Sequence, residues 1–287
     1  MRLGLIAGGG TLPKYVAIAA RESGAPITTL TLEPFAQAAD YKNAKALHIG
    51  QLGKAFKTFK QAGCTHVCMA GIVKRPDFSQ IKPDLKAMFL LPGIIRAAGQ
   101  GDDALLRHMM GLFEAEGFEI ISPQEICVDL LLSEGVLGAA PFQSGHRDDA
   151  LKACEIAREI GRLDIGQAAV VALGLTLAVE AQEGTDEMLA RVLELPEHLR
   201  GTEHERCGVL AKLIKPAQDT RVDLPTIGPE TVRRVAKAGL AGIVAEAGQA
   251  FILERDEVIN LADAAGIFIV GIPAVDEDAS QENLQND

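Results

Sequence analysis

Two lysines, an arginine and two aspartates fall within Lys212-Leu-Ile-Lys-Pro-Ala-Gln-Asp-Thr-Arg-Val-Asp-Leu-Pro-Thr-Ile-Gly228, the densest run of reactive side chains in the chain. Lys212, Lys215 and Arg221 beside Asp219 and Asp223 suit an anionic phosphate substrate. The cations would offset phosphate charge, and a carboxylate can hold a hard cation or orient water. A solvated charged turn holds the same residue types, because aspartate and lysine also crowd ordinary turns. The segment by itself leaves both readings open.

Other groupings could carry chemistry. Gly8-Gly9-Gly10 follows an apolar run and precedes a helical pattern, so backbone N–H groups there can approach an anion at the positive end of a helix dipole. Gly9, Gly10, Thr11 and Leu12 are the candidate substrate-binding residues of this turn. A dinucleotide fingerprint wants a third glycine where Pro13 stands, although Glu33 lies where a ribose-binding acid belongs. An NAD(P)-dependent oxidoreductase is therefore the alternative reading. In Gly71-Ile-Val-Lys-Arg-Pro-Asp77, Gly71, Lys74 and Arg75 either meet a phosphate or form a solvated basic pair. Asp102 and Asp103 most simply cap a helix, with a metal or ribose role as the rarer case. His108 reads as a boundary side chain.

Glu180 interrupts an apolar run, where a charge is costly without a partner. Glu180, Glu183 and Asp186 could converge on a hard cation. The competing reading has Thr185 and Asp186 cap the next helix while Glu180 pairs with Lys212 or Arg221. We read Asp186 as a cap and Glu180 as functional, with Glu180 and Glu183 as candidate metal ligands. Cys64, His66 and Cys68 share a strand face, but no fourth ligand has zinc-site spacing, so burial accounts for them.

The elements that must position these residues alternate. Leu3–Ala7, Ile27–Leu32, Ala46–Ile49, His66–Ala70 and Glu119–Ile121 read as strands, with helices over 13–22, 52–62 and 102–116. Such alternation predicts a parallel, doubly wound sheet. Residues 133–149 lose all periodicity and read as the boundary. Beyond it come a helix over 149–160, two strands over 168–182 broken near Gly174, a helix capped by Thr185, and an alternating strand over 209–214. Helix and strand then alternate to Val270, and the acidic tail after Pro273 frays. The fold class is α/β with two domains. Residues 1–132 form an N-terminal Rossmann-like substrate-binding domain, 133–148 a linker, and 149–287 a smaller C-terminal α/β catalytic domain.

Composition agrees with this division. The 287 residues, 48% of them hydrophobic, supply core for two domains. A net charge of −11 argues against nucleic acid, whose backbone needs a basic surface. The five cysteines are odd in number and scattered, as expected of reduced cytosolic thiols. Leu3–Ala7 is too short for the apolar core of a signal peptide. The run 165–179 falls short of a membrane span and reads as sheet core.

The residues also carry a family resemblance. Leu5-Ile-Ala-Gly-Gly-Gly-Thr-Leu-Pro13, Ala70-Gly-Ile-Val-Lys-Arg-Pro-Asp-Phe78, Gly101-Asp-Asp-Ala-Leu-Leu-Arg107, Leu163-Asp-Ile-Gly-Gln167, Val179-Glu-Ala-Gln-Glu-Gly-Thr-Asp186 and Lys215-to-Gly228 stand in one order along nearly the whole chain. In that order they resemble the LpxI-type UDP-2,3-diacylglucosamine pyrophosphatases of lipid A biosynthesis. The resemblance outweighs the oxidoreductase reading, and a non-catalytic nucleotide or lipid binder stands as the third class. It implies a Mg²⁺-dependent hydrolase in the cytoplasm that cleaves an acylated UDP-sugar to UMP and 2,3-diacylglucosamine 1-phosphate, and transient peripheral contact with the inner membrane is a further expectation. It further implies two α/β domains with the ligand between them and a homodimer. The family's catalytic aspartate falls on Asp223. In the resulting scheme Mg²⁺ on Asp223, with Glu180 or Glu183, polarises the α-phosphoryl group while Lys212, Lys215 or Arg221 offset charge. Gly9 to Leu12, Gly71, Arg75, Gln167 and Lys215 then hold substrate.

Overall fold

The computed structural model describes residues 1–74, 77–215, 221 and 224–274, and the chain divides into two units. In the first, the apolar runs become the strands β1 (Leu3–Ala7), β2 (Ile27–Glu33), β3 (Lys45–His48), β4 (His66–Ala70) and β5 (Glu119–Ile120). Between them stand the helices α1 (Leu12–Glu22), α2 (Leu52–Gln61), α3 (Leu85–Ala98) and α4 (Asp102–Ala115), with a short α5 (Pro123–Ile126) after β5. All four strand pairings are parallel, and the order is β3-β2-β1-β4-β5. Chain direction across the sheet reverses between β1 and β4. The carboxyl ends of those two strands therefore flank the crevice where open α/β sheets hold ligands.

One face of this sheet is packed by aromatic side chains. Phe56 and Phe113 meet edge to face at 4.8 Å between ring centroids, and Phe59 and Phe118 complete the cluster. Burying each ring contributes about 1.5–3 kcal/mol. Gly4 on β1 admits the Phe59 ring, for a Cβ there would stand 2.9 Å from it.

The second unit, expected to be the smaller, carries the larger sheet. Its elements are β6 (Gly135–Leu137), α6 (Arg147–Arg162), β7 (Ala168–Ala172), β8 (Leu175–Val179), α7 (Gly184–Leu193), a short α8 (Glu197–Arg200) and β9 (Val209–Lys212). They continue with β10 (Thr226–Ile227), α9 (Pro229–Lys237), β11 (Gly242–Glu246), β12 (Phe251–Ile252), α10 (Arg255–Ala265) and β13 (Phe268–Ile272). The main sheet runs β6-β13-β11-β9-β7-β8, parallel across β13, β11 and β9 and antiparallel beyond them. Helices cover both faces. Leu210 and Ile243 join the core under α7, α9 and α10, whereas Val209, Ala211 and Val244 join the core under α6. Two buried faces explain why β9, expected to alternate, is buried at all four positions.

Three expectations are corrected locally. The stretch 133–148, read as linker, contributes β6, which pairs antiparallel with β13. A Cβ on Gly271 would stand 2.1 Å from the Ser133 carbonyl, so glycine on β13 lets the incoming chain lie that close. Gly101, not Asp102 or Asp103, is the N-cap of α4, and the two aspartates lie in its first turn, where carboxylates favour the dipole. Glu183 is the N-cap of α7, and Thr185 lies inside the helix.

Candidate functional site

In the first unit, the glycine turn at the end of β1 and the Gly71 loop at the end of β4 meet at the switch point. Gly8 N–H donates to the Ala70 carbonyl at 2.8 Å, Gly9 N–H to the Ile72 carbonyl at 2.8 Å, and Ile72 N–H returns to the Gly9 carbonyl at 2.9 Å. Side chains would not fit this clasp. A Cβ on Gly8 would stand 2.9 Å from the Ile72 carbonyl, and one on Gly71 would stand 2.5 Å from the Gly9 carbonyl. The N–H groups of Gly8 and Gly9 are therefore spent on protein, which corrects the expectation that Gly9 offers its own to an anion. Close approach of backbone to backbone, with no dinucleotide, accounts for these glycines. Glu33, the other support for a nicotinamide reading, lies 3.2 Å from His48.

Gly10, Thr11 and Leu12 remain suited to an anion. They sit at the open start of α1, where helix geometry leaves N–H groups without intrahelical partners, and no side chain of Thr11 caps them. Arg75 lies outside the described residues.

In the second unit, four candidates gather at one end of the main sheet. Lys212 ends β9 opposite Ala168 at the start of β7, and its Nζ, although the residue is only 8% exposed, donates to the Thr226 carbonyl at 2.9 Å. Gln167 precedes β7; its carbonyl accepts from Leu213 N–H at 2.9 Å, and its Oε1 is buried with no protein partner. Glu180 follows β8, and its N–H donates to the Ala168 carbonyl at 2.8 Å. Lys215 Nζ meets Asp164 Oδ1 at 2.8 Å. Asp164, within the Leu163-to-Gln167 motif, was not singled out in the sequence, because nothing local links it to Lys215.

Among the described carboxylates, Glu180, Glu183 and Asp186 do not converge on one cation site. Glu180 is compensated, but by neither Lys212 nor Arg221: Oε1 accepts from the Thr185 hydroxyl at 3.0 Å and Oε2 from Gln167 N–H at 3.1 Å. Glu183 turns to Arg191 at 2.5 Å, and its own backbone N–H, then Arg191, hold its carboxyl below the usual range. Asp186 pairs with Arg234 at 3.5 Å. Among the described residues no three His, Cys, Asp or Glu side chains lie close enough to share a metal ion. Asp223 lies outside the described residues, as does Asp219. Arg221 belongs with the first unit, where Nη1 meets Glu114 Oε1 of α4 at 2.9 Å.

Glu180→Gln separates a structural from a metal role. The variant keeps one acceptor oxygen for two donors, so we expect a loss of about 1–3 kcal/mol in unfolding free energy and turnover within a few-fold of wild type. A metal ligand would show the reverse, a rate loss of about a hundredfold with stability nearly unchanged. Thermal unfolding beside steady-state rates decides between them.

These loops and charges stand in a chain that matches two family models and one curated relative. The LpxI N-terminal domain model matches residues 2–130 and the LpxI C-terminal domain model matches 133–270. A curated relative, the UDP-2,3-diacylglucosamine pyrophosphatase LpxI of Caulobacter vibrioides, is 51% identical over 272 residues, covering 94% of this chain and 97% of that one. Among solved structures, Thermus thermophilus UDP-glucose 4-epimerase in complex with NAD gives a TM-score of 0.29 at 13% identity, over 96% of this chain and 86% of that one. The N5-carboxyaminoimidazole synthetase of Staphylococcus aureus gives 0.22 at 14%, over 72% and 45%. At such scores neither structure carries an argument. Two domain models in tandem and a relative matched almost end to end do: the chain belongs to the LpxI family.

Proposed function

We propose that this protein hydrolyses the diphosphate of UDP-2,3-diacylglucosamine to UMP and 2,3-diacylglucosamine 1-phosphate in lipid A biosynthesis. The observation that carries the reading is the match along 94% of the chain to a relative named for that activity. Its site supports it. Hydrolysis of a diphosphate breaks one P–O bond, adds water across it and leaves two phosphate monoesters, so charge accumulates on oxygens as the bond breaks. Fixed cations and N–H groups lower that barrier most where they are already oriented. Lys212, held by the Thr226 carbonyl, and Lys215, held by Asp164, are oriented in this sense. Gly10, Thr11 and Leu12 at the start of α1 suit one end of the substrate, and Asp223 is the residue we assign to positioning the attacking water.

Mg²⁺ dependence is part of the same proposal, although the described carboxylates do not fit a metal cage. Glu180 is held by Thr185 and Gln167, and Glu183 by Arg191. Magnesium keeps several waters and is commonly held by one or two carboxylates plus substrate phosphates, and in this reading Asp223 and the diphosphate would be its donors. When bound, the ion would neutralise phosphate charge.

The test is release of UMP from the acylated UDP-sugar, with NADH titration alongside. We expect turnover that a chelator abolishes and added Mg²⁺ restores, with the unfolding midpoint unchanged. Undiminished turnover in excess chelator sinks the metal requirement, and dehydrogenase activity with micromolar NADH affinity sinks the hydrolase. Hydrolysis in ¹⁸O-water records which phosphorus takes the solvent oxygen.

A further inference from the structure

Glu246 is a carboxylate in a place that stability alone fills with hydrocarbon. It ends β11, is 7% exposed and shares the face of Val244, the side covered by α6. Arg158 of α6 compensates it, with Nη2 2.8 Å from Oε1. The same face otherwise holds Val209, Ala211, Leu213, Val244 and Val270. A buried ion pair is costly to desolvate and is often no more stable than apolar side chains of the same volume, so stability does not account for it.

Its place in the sheet does. Open α/β sheets take ligands at the carboxyl ends of their parallel strands, and β9 and β11 are parallel, with Val244 opposite Ala211. Further along that register Glu246 comes level with Leu213, and Lys215 follows shortly after. Asp164, which holds Lys215, stands just past the end of α6, and Arg158 lies about one turn before that end. Two cations, each held by a carboxylate, therefore stand at one end of the sheet beside α6. On the turn before Arg158 no second anion competes for it: Ala153, Cys154 and Ala157 are buried, and burial pushes the Cys154 thiol up to about 11, so it stays uncharged. Outward the guanidinium is open. Its side chain is 27% exposed, and among the described residues Glu246 takes Nη2 alone. A planar fork anchored on one side, with N–H donors to spare on the other, suits the oxygens of a phosphate.

We propose that Arg158 is a further phosphate-binding residue of this protein, taking oxygens of the diphosphate together with Lys215, and that Glu246 is the positioning residue that aims its guanidinium. The inference rests on the proposed function for the identity of the substrate, but the anion contact is read without turnover. Arg158→Met alone would leave Glu246 buried and unpaired, so the decisive variant joins Arg158→Met to Glu246→Leu, which removes both charges at similar volume. Its unfolding midpoint should stay at or above that of the wild type. Its affinity for inorganic pyrophosphate, measured by titration calorimetry, should fall about tenfold or more. KM for the acylated UDP-sugar should rise by a similar factor while kcat changes less. Arg158→Lys keeps the charge and loses the fork, and it should weaken pyrophosphate about threefold or more with the midpoint unchanged. Arg162→Met, one turn on in α6 where Arg162 meets Glu159 at the surface, is the control and should bind as the wild type does. Full retention of pyrophosphate binding by the folded double variant overturns the proposal, as does full retention by Arg158→Lys where the double variant does not fold. So do an equal loss in Arg162→Met and a wild type that does not bind pyrophosphate. A wild type that binds pyrophosphate but releases no UMP refutes the proposed function and leaves the anion contact standing. Release of UMP by wild type and double variant alike, with KM and pyrophosphate affinity unchanged, keeps the function and refutes the contact.

Discussion

Asp223→Ala is expected to lower the rate of UMP release by about a hundredfold or more while substrate binding survives. The family resemblance places the catalytic aspartate at this position, and the residues around it in sequence are chemically suited to it. Lys212 and Lys215 precede it, and Arg221 stands two residues before. Nearby positive charge keeps a carboxylate ionised, which is the state that orients water or holds Mg²⁺. An aspartate in an ordinary exposed turn behaves otherwise. Its removal alters stability by about half a kcal/mol and leaves the rate alone. Asp219→Ala is the internal control, four residues away in the same stretch. Rates at saturating substrate, equilibrium binding of uncleaved substrate and thermal unfolding together distinguish the two. Near wild-type turnover in Asp223→Ala refutes the assignment, and the catalytic group is then to be sought among Glu180, Glu183 and Asp102.

Gly71→Ala should cost about 2–4 kcal/mol of stability and weaken substrate binding with it. Two causes add. Gly71 has φ +93°, a conformation that side chains strain against, and its Cβ would stand 2.5 Å from the Gly9 carbonyl and 2.6 Å from Pro13 Cγ. A backbone oxygen and a proline ring cannot rotate aside, so the clasp between the β1 and β4 loops must open. Gly10, Thr11 and Leu12 follow directly from that clasp, which is why binding should suffer too. Amide exchange at Gly9 and Ile72 reports the opening locally, and denaturant unfolding reports its cost. Gly111 in α4 is the contrast, with an ordinary helical backbone and nothing within 4 Å of its added Cβ. Gly111→Ala should stabilise by about 0.5–1 kcal/mol through helix propensity. A Gly71→Ala protein as stable as wild type, with normal exchange at Gly9, would show that the clasp is not what holds this turn.

The alternation of strands and helices was legible because the central strands of both sheets are buried, and a buried strand reads as an apolar run at either face. Helix α3 was not. Its exposed side, with Leu85, Met88 and Phe89, is as apolar as its buried one, so the polar contrast that reveals a helical period is missing. Glu180 was legible as a charge needing compensation, since it stands at the end of an apolar run. Its partners were not, because one is the Gln167 backbone on the other side of the β7–β8 hairpin. Three glycines in a row read as room for a ligand, whereas Gly8 and Gly9 make room for the Gly71 loop. That exchange links turns about sixty residues apart, a distance over which local pattern carries no information. Strand β6 was hidden for a simpler reason: three residues are too few for a period of two to stand out.

Brief as it is, β6 has a role in keeping molecules apart. It lies antiparallel against β13, whose Phe268, Ile269 and Val270 are all buried. Without β6 this strand would end the sheet with a row of open N–H and C=O groups beside apolar side chains, the arrangement from which chain-to-chain strand pairing and aggregation start. Gly135–Leu137 occupies that edge with the chain's own backbone. Solubility of the second unit thus depends on residues that precede its first long helix, α6, and a cut between β6 and α6 would leave the sheet open to its neighbours.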